Sequence, residues 1–165
     1  MNMITGIKDQ INSIYAKLKN LPLEEVELYP PIPNDRIIKF EEMFCVKLPL
    51  DYRSLLLLSN GFYYDGHEIL GISLNSQDTR YDLTAAYKFE HYETTNIMFS
   101  HIVPFYPDGF GNFACFDTRK MDVNGICPIV FWEHDIEYDE NNEPKIISTS
   151  FIEFILDEIL FEQEP

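Results

Sequence analysis

The run from Pro104 to Asp135, PFYPDGFGNFACFDTRKMDVNGICPIVFWEHD, constrains the fold more than any other stretch of the chain. Asp108-Gly109-Phe110-Gly111-Asn112 is the composition of a tight reversal, because glycine and asparagine accept the positive φ angles such a turn needs. Phe113 to Asp117 follows as a short aromatic-rich strand. Asp122-Val123-Asn124-Gly125 is a second turn, its Asn-Gly pair favoured in hairpins. Pro128 to Trp132 is then apolar along its whole length, as expected of a strand covered on both faces. Two central antiparallel strands result, and the other elements are expected to dock on them.

The flanking segments supply those elements. Ile4, Ile7, Ile11, Ile14 and Leu18 recur at steps of three and four, which predicts an amphipathic helix ending at Asn20-Leu21-Pro22. Asn34 is placed to cap a second helix that carries Ile37, Phe40, Met43 and Phe44. Leu48-Pro49-Leu50-Asp51-Tyr52-Arg53 starts a third, which runs to Asn60-Gly61, where glycine accepts a left-handed stop. His67 to Leu70 reads as a strand, with Gly71 to Leu74 its continuation or a turn out of it, a helix follows from about Asp82, and Ile97 to Phe105 reads as a strand. Ile136 to Tyr138 and Lys145 to Ile147 read as short strands, with an acidic loop from Asp139 to Pro144 between them. Ser150-Phe151-Ile152-Glu153 has the form of a capping box and opens a last helix to about Phe161, burying Phe151, Ile155 and Ile159 with Ile152 and Leu156 alongside. The order predicts an α+β fold, with N-terminal helices, a central mostly antiparallel sheet and a closing C-terminal helix in one domain over residues 1–165.

Composition bounds what such a fold can do. With 45% hydrophobic and 15% aromatic residues, the chain can pack an ordinary core. Its 28 acidic side chains against 12 basic ones give a formal charge of −16. That argues against nucleic acid as a ligand, since phosphates are held by basic patches. It favours solubility and would steer a basic protein partner. Cys45, Cys115 and Cys127 are odd in number, well separated and set among apolar residues, so buried free thiols are expected. No secretory pattern opens the sequence, and Leu55 to Leu58 is its longest purely aliphatic run, so a cytoplasmic protein without a membrane span is expected.

Enzyme signatures fail one by one. Gly109 and Gly111 lack the third glycine and the strand-to-helix setting of a nucleotide fingerprint. Gly71-Ile72-Ser73-Leu74-Asn75 has asparagine where a nucleophile elbow has glycine. A Cys115–His134 dyad needs a reactive thiol, but Cys115 sits inside a core-like strand. His67, His91, His101 and His134 have no paired ligand spacing, and Pro144 stands where a calcium loop needs glycine. Asp65, Asp108, Asp117 and Asp135 are candidates to converge on a metal, though turn aspartates ordinarily bond their own backbone. No cofactor is implied.

Taken together, the pieces resemble the SMI1/KNR4 (SUKH) superfamily. The carriers are Pro33 to Glu41, Leu48 to Arg53 followed by Asn60-Gly61-Phe62, Asp108 to Asp117, Pro128 to His134, and Ser150 to Phe154. Asn112 stands where an acidic residue is common after the glycine turn. The resemblance implies an α+β fold without catalysis. Many bacterial members are immunity proteins that neutralise a cognate polymorphic toxin, often a nuclease, and others are regulatory interaction proteins. A basic toxin domain is therefore the implied partner, and an intracellular regulatory or scaffold module the alternative.

The candidate docking face follows Trp132. From Glu133 to Glu143 there are six carboxylates and no Lys or Arg. On a strand, Glu133, Asp135, Glu137 and Asp139 would share one face by the period of two, with Trp132 or Tyr138 as an aromatic anchor. Asp108 joins the set from the glycine turn. A solvated acidic edge that discourages sheet-to-sheet pairing accounts for the same pattern.

Overall fold

The computed structural model describes residues 2–73 and 80–161. The leading helix α1 (Met3–Lys19) buries Ile7, Ile11, Ile14 and Leu18 on the stripe that their spacing dictates, while Ile4 stays half exposed. Asn2 caps it by accepting from the Thr5 amide at 2.8 Å. Then come β1 (Val26–Leu28), α2 (Asn34–Phe44) and α3 (Leu50–Leu56). Prolines precede both of these helices as their N-caps. Asn34 is therefore not a cap but the first helical residue, and its Oδ1 accepts from Arg53 at 2.8 Å. A hairpin follows, β2 (Phe62–Tyr64) and β3 (His67–Ile69), turning through Asp65 and Gly66, both at positive φ.

The second half holds α4 (Leu83–Lys88), capped by Asp82 and continued as a π-helix over Phe89–Glu93, and then β4 (Ile102–Pro107) and β5 (Phe113–Asp117). Next are β6 (Ile129–Trp132), β7 (Lys145–Ser148) and α5 (Phe151–Phe154), which also continues as a π-helix, over Ile155–Ile159. The β1, β2 and β3 strands form one antiparallel sheet in that order, and β4 to β7 form a second, also in chain order. The Leu70 amide donates to the Phe105 carbonyl at 2.9 Å and stitches the two together.

This is the α+β fold with a closing C-terminal helix that the sequence predicts, and its centre is the expected pair of strands. Phe113 lies opposite Trp132, and Phe116 opposite Ile129. Every residue of β5 is buried. On one face Phe116 stacks on Phe105 with ring centroids 4.2 Å apart, and the rings of Tyr52 from α3 and Phe151 from α5 close over it. On the other, Trp132 meets Phe99 edge to face at 5.4 Å.

Further local readings are corrected. The third helix does not reach Asn60-Gly61: it ends at Leu56 with Leu57 as a right-handed cap, and Gly61 at φ 82° leads into β2 instead of stopping α3. Glu133 to Asp139 is not a strand but a chain of turns, so Ile136 to Tyr138 pairs with nothing in either sheet. The strand expected from Ile97 starts only at Ile102, because residues 94–100 are spent leaving the π-helix. Cys45 is exposed, not buried: it ends α2 at φ 53°, a left-handed stop for which the sequence offers no glycine. Cys115 and Cys127 are buried free thiols, as expected. Leu74, Asn75 and Asp78 lie outside the described residues. The last helix ends at Ile159, with Leu156 facing out. Ser150 accepts from the Glu153 amide at 3.0 Å as the capping box requires, but Glu153 reaches back to the Thr149 amide at 2.7 Å, one residue earlier than the simple box.

Asp51 is a fully buried carboxylate that ties two helices together. Its Oδ1 accepts from the Tyr52 amide at 3.0 Å and its Oδ2 from the Ile152 amide at 3.3 Å, joining the first turns of α3 and α5. Burial outweighs these bonds and pushes its pKa from 3.8 up to about 6. Between those values the folded protein holds a proton that the unfolded chain has released. This group's contribution to stability is therefore full below pH 4 and falls by about 3 kcal/mol as the pH rises to 6. Urea midpoints of Asp51→Asn and wild type, measured from pH 4 to 7, should move in the variant's favour with rising pH. A difference that does not change with pH would mean that the carboxyl titrates normally.

Candidate functional site

The glycine turn and the acidic stretch after Trp132, distant in sequence, form one surface. The turn is locked by Asp108, whose Oδ1 accepts from the amides of Phe110 at 2.7 Å and Asn112 at 3.0 Å. Its Oδ2 accepts from the Asn112 side-chain amide at 2.9 Å. Gly109 and Gly111 supply φ values of 84° and 93°, which a β-branched or bulky residue would take only under strain. Asn112 Oδ1 then accepts from the His134 amide at 3.1 Å and lies 2.9 Å from His134 Nδ1. A side chain on Gly111 would come within 3.0 Å of that imidazole. Turn and stretch are thus pressed together, and Asn112 is what joins them.

The acidic stretch is held as an arm by side-chain hydrogen bonds in place of strand pairing. Asn96 Nδ2 donates to the carbonyls of His134 at 3.1 Å and Ile136 at 2.6 Å. The Tyr138 hydroxyl accepts from the Glu133 amide at 3.2 Å, and its ring lies 4.6 Å from that of Trp132. Burial, and then the charges of Glu133 and Asp135, raise the Tyr138 pKa, so the negative potential is felt at the ring. Asp139 accepts from the amides of Asn141 at 2.7 Å and Asn142 at 2.9 Å and is occupied with its own turn. Glu143 pairs with Arg119 and Lys120, which follow the far end of β5, and these partners hold its carboxyl below the ordinary value.

The expected site residues therefore divide. Asp135 and Glu137 are exposed, Glu133 and Tyr138 half buried, and Asp108 and Asp139 are tied into turns. Trp132 is 1% exposed and cannot anchor a partner. Its place as an exposed aromatic is taken by Phe110, 83% exposed at the tip of the glycine turn. Sequence reasoning missed Phe110 although its flanking glycines were the signal: a phenylalanine between two positive-φ residues has no strand or helix face on which to hide.

The catalytic readings come apart. Cys115 is fully buried, its thiol pushed up by burial, and its Sγ is 3.6 Å from the Phe113 carbonyl oxygen. His134 bonds Asn112 instead, so no dyad forms. Among the described residues no group of three or more His, Cys, Asp or Glu side chains is disposed to hold a metal ion, and Asp65, Asp108, Asp117 and Asp135 do not converge. No helix among them is long and apolar enough to cross a membrane.

The family model SUKH_5, SMI1-KNR4 cell-wall, matches residues 7–160. The chain belongs to the SMI1-KNR4 family. The match takes in every strand of both sheets, the candidate arm and the closing helix. No curated protein matches the chain.

Proposed function

We propose that this SMI1-KNR4 protein is a cytoplasmic immunity protein that binds a cognate polymorphic toxin, a basic nuclease-type domain, and neutralises it without catalysis or cofactor, the whole chain acting as one domain. Family membership supports the reading, because the superfamily includes immunity proteins of this kind. The observation that carries it is the arm: Glu133, Asp135, Glu137, Asp139 and Glu140 with no Lys or Arg among them, held in place by fixed hydrogen bonds. A rigid acidic surface offers a nuclease the charge of the nucleic acid it would otherwise hold, and speeds encounter with it. Co-expression with the toxin domain encoded beside its gene should restore growth of cells that the toxin alone arrests. Growth arrest undiminished by abundant, folded protein would overturn the reading.

A second reading, a regulatory or scaffold module with no toxin partner, is favoured by one finding, the mention of the cell wall in the family's description. It expects a stable complex with a housekeeping assembly and no protection from any toxin domain.

A further inference from the structure

Phe110 has no structural employment. It is the most exposed aromatic among the described residues, at 83%, and its own turn holds it there: Asp108 bonds its amide, and glycines in the left-handed region flank it. A ring presented on a locked turn has few backbone states to lose on binding, which is the economy that makes aromatic anchors effective at interfaces. The Asn112–His134 bonds join its turn to the stretch that carries the exposed carboxylates of Asp135 and Glu137. Of the cations near it along the chain, Arg119 and Lys120 lie past the other end of β5 and face Asp117 and Glu143, and Lys145 opens β7 opposite Phe131.

Resting on the immunity reading above, we propose that the tip of the β4–β5 turn is the docking face, with Phe110 inserted into an apolar pocket of the toxin domain that is ringed by Lys and Arg, which Asp135 and Glu137 meet. Charge complementarity selects this occupant. A second copy of this chain, itself carrying −16, would bring like charges together at the same face.

The two parts of the face have separable kinetic signatures. Binding of the full-length protein to the toxin domain encoded beside its gene should weaken by about ten-fold or more in Phe110→Ala, mostly through faster dissociation. Asp135→Lys with Glu137→Lys should slow association about ten-fold at low salt and flatten its salt dependence. Val123, fully exposed on the β5–β6 turn at the opposite end of the sheet, is the control, and Val123→Asp should bind as wild type. All these positions are exposed, so thermal melts matching wild type will show the variants folded. Wild-type affinity in Phe110→Ala and in the charge reversal, with the wild type still bound, would overturn this face and leave the immunity reading standing. Failure of the wild type to bind would overturn both. Self-association of the protein alone that Phe110→Ala abolishes would give the face to a second copy and overturn the assignment.

Discussion

Phe116→Ala should lower the free energy of unfolding by about 3–5 kcal/mol, the range for a fully buried phenylalanine whose neighbours cannot collapse onto the space. Phe116 is completely buried, and its walls come from separate elements. Phe105 stacks on it from β4, Tyr52 lies 4.9 Å away from α3, and Phe151 lies 5.9 Å away from α5. No single movement closes a gap bounded by two strands and two helices, so most of the cavity should persist. Tyr52 is moreover pinned by its hydroxyl, which donates to the Leu70 carbonyl at 2.5 Å. The denaturant midpoint checks this, and an unchanged midpoint would mean that the ring does not fill the core.

Gly61→Ala should cost on the order of 4 kcal/mol from a change of one methyl group. Gly61 has φ 82°, where alanine already loses about 1–2 kcal/mol. The new Cβ would also stand 2.3 Å from the Ile69 carbonyl oxygen and 2.8 Å from the Gly71 nitrogen, both main-chain atoms of a neighbouring segment. That segment cannot retreat, because the buried Asn60 side chain grips it from both sides: Nδ2 donates to the Ile72 carbonyl and Oδ1 accepts from the Ile72 amide, each at 2.8 Å. A variant retaining the wild-type midpoint would show that the approach is looser than this geometry requires.

Some of these sites are written in the local pattern of the chain and others are not. Phe116 was legible, since an aromatic strand between two turn signals has few places to go. So were α1, from its spacing, and the Asp82 start of α4. The β1 strand and β2 were not, because three residues each give no periodicity to read. The acidic stretch misled for a physical reason: alternating Glu and Asp imitates a period of two, while its course is set by Asn96 and Asn112, residues far away along the chain. Trp132 was placed in the right strand, but alternation within one strand does not say which of its faces is covered.

The start of α3 has a consequence for how the protein is made. Its Leu50 amide donates to the Gly125 carbonyl at 2.8 Å, and the Asp51 carboxylate beside it takes the Ile152 amide from 101 positions further on. A chain emerging from the ribosome makes this helix before the groups that seat it, at Gly125 and Ile152, have been synthesised. The helix must then wait unsealed, its Leu50 amide open to exchange with solvent, until those later segments arrive. For this topology, α3 is sealed only by residues made long after it.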